Sequence, residues 1–266
     1  MKIRRVKDRL KMVCAPYYLP KENKSKPEGE DAHFACMEEQ TIGVADGVGG
    51  WAERSIDAGE YARELMMNSF FALHKNPKEK EPRKVEGVDP KRVLHDAFSV
   101  TESKGSCTAC IITHKDGVLR AANVGDSGFM LFRKNKLVYR SPCQQRGFNC
   151  PYQLGNNKNS DKPECAIEIK VEVMEGDVII LGTDGFFDNV FASEAEEVLE
   201  RESRKKGGIV PKNLACYIAE LALYNSFDRF RESPFSRNAK LAGKNRRGGK
   251  IDDITVIVSQ IVAVDS

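Results

Sequence analysis

The sequence predicts an α+β fold built on antiparallel sheets. Short apolar runs bounded by turn residues follow one another in long series, as strands of antiparallel sheets do, whereas segments with helical apolar spacing occur in pairs. No internal repeat and no long glycine- or proline-rich linker divides the 266 residues. A single domain is therefore expected at this length.

Nine apolar runs are predicted to be strands. Those between residues 106 and 140 are separated by turns of two to four residues, among them Asp116-Gly117 and Lys134-Asn135, which predicts a meander of neighbouring antiparallel strands. In chain order the runs are HFACM, TIGVAD, SCTACIIT, VLRAANVG, GFMLFRK, KLVYR, AIEIKVEV, DVIILG and ITVIVSQIVAV.

Four helices are predicted from caps that precede helical apolar spacing. Asp57 caps the first, which is expected to run to about residue 75. Asp89 before Pro90 opens the second, which is expected to run to about residue 103. Ser193 with Glu196 opens the third, and Pro211 opens the fourth.

The composition is that of a globular protein. Hydrophobic residues make up 41% of the chain and charged residues 30%, which argues against disordered, collagen and coiled-coil classes. The longest apolar run, ITVIVSQIVAV, is interrupted by Thr, Ser and Gln, and it is far shorter than the roughly 18 residues that a membrane span requires. A soluble protein is therefore expected.

Basic residues cluster in two places. Residues 1–26 contain nine Lys or Arg against two acids, and residues 240–250 contain five with no acid, so the rest of the chain is net acidic although the total is +3. Such blocks are most often solvated tails or loops, and contact with nucleic acid or an acidic membrane is the minority interpretation. Residues 1–27 are predicted to be an extended basic lead-in, and residues 28–266 the folded domain.

The eight cysteines are predicted to be reduced thiols. No secretory segment is recognisable ahead of them, which favours a reducing compartment over a disulfide framework. Cys107 and Cys110 form a CxxC pattern, but in a strand, side chains three residues apart point to opposite faces. Two packing cysteines are therefore expected there rather than a zinc or redox pair.

Acidic residues stand at the ends of several predicted strands. Carboxylates at the ends of neighbouring strands repel one another unless cations lie between them. Sets of oxygen ligands of this kind suit Mg²⁺ or Mn²⁺. The sequence therefore predicts a site for hard divalent cations, formed by the following residues: Glu30, Asp31, Asp46, Asp126, Asp184, Asp252 and Asp253.

A plainer interpretation of each Asp-Gly pair is a hairpin turn. Asp116-Gly117 is expected to be only that. Asp46-Gly47 differs because Gly49-Gly50 follows and lets the backbone approach a ligand closely. Asp184-Gly185 differs because two phenylalanines follow, and large apolar residues are unfavourable in an exposed turn.

Six motifs in this order resemble the metal-dependent serine/threonine protein phosphatases of type 2C, the PPM family. They are GEDAHF, VADGVGGW, GSCTA, NVGDS, GTDGFFDNV and KIDDITVIV, and they cover about residues 28–262. DGVGGW with RELM and PYQLG is similar to the short single-domain subgroup of plants, fungi and animal mitochondria. The resemblance implies a four-layer αββα sandwich of two antiparallel β-sheets flanked by helices, with a two-metal site at one end and residues 28–266 as a single phosphatase domain.

The resemblance also implies how the acidic residues bind metal. Asp46 would bridge two Mg²⁺ or Mn²⁺ ions, and Gly47 would offer its backbone carbonyl to one of them. Asp184 and Asp252 would hold the other ion.

Further acidic residues have weaker roles in the family. Asp31, and less directly Glu30, would bind metal-coordinated water, and Asp126 matches a position that contributes to a third, weakly bound metal. The implied reaction is hydrolysis of phosphoserine or phosphothreonine by a bridging water that the metals activate, without a covalent intermediate.

Three positions depart from the family pattern. Val48 stands where long-chain members carry a histidine proposed as the general acid, and Asp253 stands where asparagine is usual. Lys26 stands where the family has a phosphate-binding arginine, with Lys24 or an arginine elsewhere in the chain as alternatives. Lysine binds phosphate only as a point charge.

Two neighbouring side chains are predicted to be structural. His33 is expected to pack or to lie at the surface rather than to act in catalysis. Trp51 is expected to anchor the glycine-rich loop.

The sequence therefore predicts a monomeric enzyme acting on phosphorylated proteins. It is expected inside the cell, in the cytoplasm or in a plastid or mitochondrion, with no nucleic-acid partner and no membrane span. One alternative is an inactive member of the family that serves as a binding module. Another is a metal-dependent hydrolase of small phosphoesters or nucleic acid that uses the basic residues 240–250.

Overall fold

The protein is built from thirteen strands and six helices within the residues that the structure describes. The computed structural model describes residues 10–23, 26–74 and 87–264. The strands are β1 (Leu10–Leu19), β2 (Asp31–Cys36), β3 (Thr41–Gly47), β4 (Ser106–Lys115), β5 (Val118–Val124), β6 (Gly128–Arg133), β7 (Lys136–Arg140), β8 (Gln145–Gly147), β9 (Cys150–Pro151), β10 (Leu154–Gly155), β11 (Ile167–Glu172), β12 (Val178–Gly182) and β13 (Ile254–Ala263).

The helices are fewer than the strands and vary in length. They are α1 (Ala58–His74), α2 (Pro90–Phe98), α3 (Asp184–Phe187), α4 (Ala192–Ser203), α5 (Pro211–Phe227) and α6 (Pro234–Leu241), with 3₁₀ turns at Gly49–Arg54 and Pro163–Cys165. Within the described ranges, no helix combines the length and the apolar character needed to cross a membrane.

Two antiparallel sheets form the centre of the molecule. The first has the strand order β1-β13-β12-β6-β7, and the second has the order β11-β5-β4-β3-β2, with β10 paired to β4. Every pairing within them is antiparallel. The α+β class is therefore confirmed.

Three apolar clusters hold the layers together. Between the sheets, Ile42, Ile112 and Phe129 belong to one buried cluster drawn from both. Helices α3, α4 and α5 bury their apolar sides on the outer face of the first sheet. Helices α1 and α2 do the same on the second sheet. The layers are thus helix, sheet, sheet and helix, which confirms the predicted αββα sandwich.

The predicted basic lead-in is wrong for the residues that can be described. Residues 1–9 lie outside the described part, but Leu10–Leu19 is β1, which pairs along its whole length with β13. Met12 is buried in the cluster between the sheets. Pro16 is tolerated because β1 is an edge strand, where a missing amide costs no ladder bond on the solvent side. The predicted domain start at residue 28 is therefore too late.

The predicted meander is also only partly correct. Strands β4 and β5 form a hairpin in the second sheet, with a turn at Asp116-Gly117 whose positive φ angles of 51° and 72° fit a type I′ turn. Strands β6 and β7 form a second hairpin, but in the first sheet. Gly125, with φ of 94°, turns the chain from one sheet to the other.

Two helix predictions differ from the structure in their bounds. Helix α2 ends at Phe98 because the Ser99 and Thr101 hydroxyls donate to the carbonyls of Asp96 and Ala97, at 2.7 and 2.9 Å. Helix α4 starts one residue before Ser193, and the Glu194 side chain accepts the amide of Phe191 at 2.9 Å.

The cysteines behave as predicted. All eight are free thiols. Cys107 packs on the helical side of the second sheet, whereas Cys110 packs between the sheets.

A buried histidine in β4 makes stability depend on pH. His114 is 4% exposed, and neither ring nitrogen has a hydrogen-bond partner among the described residues. Burial lowers the pKa of His114, against the opposing charge of Asp116. An unfolded histidine has a pKa of about 6.5, so the unfolded chain binds this proton more readily than the folded one. The folded state therefore loses stability as the pH falls below that value.

We expect His114→Leu to raise the melting temperature and to lessen its decrease between about pH 7.5 and 5.5. Removing an unsatisfied buried polar group is worth about 1–3 kcal/mol. The measurement is thermal unfolding at both pH values. The control is His95→Leu, at a histidine side chain that is 59% exposed, and the same pH dependence in both variants would contradict the prediction.

Candidate active site

The predicted acidic residues converge where the ends of the two sheets meet. In the second sheet, Asp31 at the start of β2 pairs directly with Asp46 near the end of β3. In the first sheet, β12 leads into Asp184, and Asp252 lies just before β13. The charges of Asp184, Asp31 and Asp252 all act on Asp46. Carboxylates far apart in sequence therefore form one acidic cluster.

Asp31 links the two sheets at this cluster. Its side chain is buried, and Oδ2 accepts hydrogen bonds from the hydroxyls of Thr183 and Thr255, each at 2.8 Å. Oδ1 has no partner among the described residues. Burial and the charge of Asp253 raise the pKa of Asp31, although the two hydroxyls act in the opposite direction. The carboxylate is thus fixed in orientation with one oxygen unused.

Asp46 is repelled by three other carboxylates of the cluster. Burial raises its pKa well above the ordinary value, and the charges of Asp184, Asp31 and Asp252 raise it further, whereas Lys250 lowers it. A group in this position is stabilised by positive charge nearby.

Lys250 supplies one such charge. Its Nζ pairs with Asp184 and lies 3.1 Å from both Asp188 Oδ2 and Asp252 Oδ2. The side chain is 18% exposed. The ammonium therefore lies among three carboxylates rather than in solvent.

Lys21 supplies a second charge from the other side of Asp252. Its Nζ lies 3.0 Å from Asp252 Oδ1 and 3.5 Å from both Glu30 Oε2 and Asp253 Oδ2. The two lysines thus contact different oxygens of Asp252. Burial acts to raise the pKa of Asp252, but the charges of the two lysines outweigh it and leave that pKa below its usual value.

Asp126 and Asp188 extend the acidic cluster away from β2 and β3. Asp126 Oδ2 accepts a hydrogen bond from Gln145 Nε2 at 2.9 Å, and its buried Oδ1 has no partner in the described part of the chain. Burial and the charge of Asp184 raise the pKa of Asp126 to about 7. Burial also raises the pKa of Asp188 to about 7, against the effect of Lys250.

Asp253 fixes the turn that presents Glu30. Its Oδ1 accepts the amide of Lys21 at 2.8 Å, and its Oδ2 accepts the amide of Glu30 at 3.0 Å. Asparagine has only one side-chain oxygen and could not accept both amides in this arrangement. Gly29, with φ of 67°, is required beside it, because a Cβ there would lie 2.3 Å from Asp253 Oδ1.

The glycine-rich loop after β3 is anchored to the neighbouring strand. Trp51 Nε1 donates to Ser106 Oγ at 2.7 Å, and the Val48 amide donates to the Ser106 carbonyl at 2.9 Å. Gly47 lies so close to α1 that a Cβ would be 2.7 Å from the carbonyl oxygen of Ala58. The predicted anchoring role of Trp51 is confirmed.

Known proteins match this sequence over most of its length. It is 48% identical over 254 residues to "Probable protein phosphatase 2C 55" of Arabidopsis thaliana, a match that covers 96% of this chain and 52% of that protein. It is 39% identical over 259 residues to "Protein phosphatase PTC7 homolog fig" of Drosophila mojavensis, with 89% of this chain and 79% of the relative covered. The chain belongs to the type 2C protein phosphatase family. It spans about half the length of the Arabidopsis relative. No protein-family profile matches the chain.

Solved structures of type 2C phosphatases share this fold. The photosystem II phosphatase PBCP has a TM-score of 0.84 at 34% identity, with 96% of this chain and 100% of that chain covered. The catalytic domain of the serine/threonine protein phosphatase PstP, in complex with 2 manganese ions, has a TM-score of 0.61 at 19% identity over 95% of this chain and 99% of its own, which is a likeness in fold alone.

The side chains at the acidic cluster fit the divalent cations on which type 2C phosphatases depend. The donor set consists of carboxylate oxygens, which Mg²⁺ and Mn²⁺ prefer. Three of these oxygens, Oδ1 of Asp31, Asp126 and Asp184, are buried without a partner in the described part. Within residues 10–23, 26–74 and 87–264, no three Asp, Glu, His or Cys side chains are already spaced to hold a metal ion. The lysine ammonium groups occupy the space between several of these carboxylates.

Lys26 lies beside the acidic cluster, and Lys24, the alternative phosphate contact, lies outside the described residues. Lys26 Nζ lies 2.6 Å from Glu30 Oε1 and 3.7 Å from Asp57 Oδ1. His33 packs edge-on against Tyr18, with ring centroids 6.4 Å apart, in agreement with the predicted packing role.

Sequence reasoning missed three residues of the site. Asp188 follows Asp184 by four residues, one helical turn on, which is a spacing that could have identified it. Lys21 and Lys250 gave no such signal, because each lies in a basic segment that resembles a solvated loop.

Proposed function

We propose that this chain is a Mg²⁺- or Mn²⁺-dependent phosphatase that hydrolyses phosphoserine and phosphothreonine in proteins. The observation that supports this most is the acidic cluster drawn from both sheets, in which burial and mutual charge raise the pKa of Asp31 and Asp46. Such a cluster is unfavourable unless cations lie between its members. Membership of the type 2C family supplies a reaction that uses those cations.

We propose the following residues as metal-binding groups. Asp46 would contact two cations, Gly47 one of them through its carbonyl, and Asp184 with Asp252 the other. The remaining groups are Asp31 and Glu30, through water, and Asp126, for a weaker third ion. When bound, the cations would supply positive charge to the phosphoryl oxygens and lower the pKa of the attacking water. The proposed count of two cations is supported by the two manganese ions bound to PstP, which has the same fold.

The surrounding residues of this chain hold the carboxylates in place. Thr183 and Thr255 orient Asp31 through its Oδ2 and leave Oδ1 available. Asp253 fixes the backbone of Glu30. Groups that orient metal ligands in this way commonly change metal affinity or activity about 10–100-fold when they are removed.

A turnover assay with three substrates tests the proposed function. The metal-free chain is supplied with Mn²⁺ and offered a phosphothreonine peptide, an aryl phosphate and a nucleotide at moderate salt. We expect Mn²⁺-dependent phosphate release from the peptide, and none from the Asp184→Asn variant. Turnover of the nucleotide but not of the peptide would instead support a hydrolase of small phosphoesters. No turnover and no Mn²⁺ binding would support a binding module.

We also propose that Lys26 contacts the substrate phosphate. Its charge lies beside the acidic cluster, 2.6 Å from Glu30. We expect Lys26→Met to raise KM for the phosphopeptide about tenfold, the loss expected for one charge-assisted contact, and Lys26→Arg to keep KM low. A fall in kcat and Mn²⁺ affinity at unchanged KM would contradict this, because Lys26 would then act only through Glu30.

We propose, finally, that the described ranges form a single phosphatase domain that begins with β1 and acts as a monomer. Sedimentation of the chain should then give the mass of one copy, 29.7 kDa. A mass of two copies would contradict the proposal.

A further inference from the structure

The ammonium of Lys250 lies between Asp184 and Asp252, the two carboxylates proposed to share one cation. It pairs with Asp184 and is 3.1 Å from Asp252 Oδ2. Both residues are proposed metal ligands, so this inference rests on the proposed function. Asp188, at 3.1 Å, is the third carboxylate around the ammonium.

The position of Lys250 is fixed by its backbone as well as by its charge. Asn189 is fully buried; its Oδ1 accepts the Lys250 amide at 2.9 Å, and its Nδ2 donates to the Lys250 carbonyl at 2.8 Å. The same Nδ2 donates to the carbonyl of Gly185 at 2.8 Å. Asn189 thus ties Lys250 to the turn of helix that carries Asp184 and Asp188.

The two glycines before Lys250 bring the chain into this position. A Cβ on Gly248 would lie 2.6 Å from the carbonyl oxygen of Asp228, and one on Gly249 would lie 2.2 Å from that of Asn225. The backbone therefore lies directly against the end of α5. Residues 248–250, the end of the basic segment 240–250, therefore pack against the protein beside the acidic cluster and are not a solvated loop.

We propose that Lys250 is a tethered counterion that competes with the divalent cation of Asp184 and Asp252 and so determines the metal affinity of this chain. One ammonium and one divalent ion cannot share the same two carboxylates, because like charges a few ångströms apart repel strongly in a site shielded from solvent. Binding of the metal therefore requires the ammonium to withdraw. Its remaining partner is Asp188, with the ring of Phe235 centred 5.9 Å from Nζ.

The competition has two consequences that differ in sign. Without metal, Lys250 offsets the repulsion among the carboxylates and stabilises the fold. With metal, it must give up charge-assisted contacts, so it weakens binding. A residue that only positioned the ligands would strengthen binding, and its removal would weaken it.

The first test is calorimetric titration of Mn²⁺ into the metal-free full chain. We expect Lys250→Met to bind one Mn²⁺ about ten- to a hundredfold more tightly than the unmodified chain, which corresponds to the loss of one or two charge-assisted contacts. Lys250→Arg, which keeps the charge, should gain less. The matched control is Lys136→Met, which removes an exposed lysine paired with Glu196 at 2.9 Å and should leave the affinity unchanged. Unchanged or weaker Mn²⁺ binding by Lys250→Met would overturn the inference.

A second test needs no variant and so does not depend on folding of Lys250→Met. Lysine labelling of the unmodified chain by reductive methylation, followed by mass spectrometry, reports how accessible each ammonium is. We expect Lys250 to be labelled severalfold faster with Mn²⁺ than with a chelator, and Lys136 at the same rate in both. An unchanged or slower rate at Lys250 would overturn the inference.

Failure of this inference can be told apart from failure of the proposed function. If the unmodified chain neither binds Mn²⁺ nor hydrolyses the phosphopeptide, the proposed function fails. If it does both, but Lys250→Met binds Mn²⁺ no more tightly, only the role of Lys250 fails.

Discussion

Asp46→Asn is expected to abolish phosphatase activity and, in the metal-free chain, to raise the melting temperature. Asp46 is proposed to contact both cations, so its replacement should lower activity by more than about a hundredfold. A hundredfold loss is the upper end of the range for removing a group that only orients a metal ligand. The gain in stability has a different origin. The amide of the substituted side chain would carry no charge to be repelled by Asp184, Asp31 and Asp252.

The sign of the pH dependence follows from the raised pKa of Asp46. The folded chain holds the Asp46 proton more tightly than the unfolded chain, so the metal-free fold loses stability as the pH rises from about 3.9, the ordinary value for aspartate, through the raised pKa. We expect Asp46→Asn to remove this loss. The gain should therefore be largest at the high-pH end.

The measurement is thermal unfolding in chelator over a range of pH, together with turnover in Mn²⁺. Each kcal/mol of relieved repulsion should raise the melting temperature by about 2–4 °C in a chain of this size. The control is Asp116→Asn, at the Asp-Gly pair that forms the β4–β5 hairpin turn, since asparagine suits the type I′ turn there. A variant at Asp46 that retained activity, or that became less stable without metal, would contradict the expectation.

The acidic cluster could be predicted from sequence because its members stand at strand ends. Asp46, Asp184 and Asp252 each adjoin an apolar run, and the resemblance to type 2C phosphatases then implied that these strand ends meet. The pairing of Asp31 with Asp46 follows from the register of β2 and β3. Strand β3 is buried at almost every position, so its sequence shows no single apolar face that would fix this register, and the pairing could not be predicted.

Strand β1 and the lysines could not be predicted in the same way. Leu10–Leu19 contains a proline and few β-branched residues, and it becomes a strand because β13 offers it a partner. Lys21 and Lys250 meet at Asp252 from opposite ends of the chain. Nothing local distinguishes them from other lysines, since their role depends on long-range packing.

The change of sheet between β5 and β6 could not be predicted from sequence either. A short turn with glycine fits a hairpin as well as a crossing between sheets, and both strands are apolar enough to be buried.

Helix α6 was not predicted, although its sequence contains a start signal. Ser233 before Pro234 caps the helix, and the Ser236 amide donates to Ser233 Oγ at 3.1 Å.

Gly185→Ala should cause the largest loss of stability among single methyl additions near the acidic cluster. A Cβ at Gly185 would lie 1.9 Å from the backbone oxygen of Asp253 and 3.1 Å from Ile254 Cγ1. The backbone oxygen cannot move aside as the end of a flexible side chain can. The added methyl group would therefore force α3 and the start of β13 apart. Helix α3 carries Asp184, and Asp252 lies just before β13, so we expect activity to fall together with stability.

We expect Gly185→Ala to cost about 3 kcal/mol, the upper end of the usual range for overpacking, measured by denaturant unfolding of the metal-free chain. The matched control is Gly50→Ala in the glycine-rich loop, where a Cβ would meet nothing within 4 Å. That control should change stability by no more than about 0.5 kcal/mol. Both variants add one methyl group to a glycine near the acidic cluster. Equal stabilities would therefore show that close contact between α3 and the start of β13 does not hold the proposed metal-binding carboxylates together.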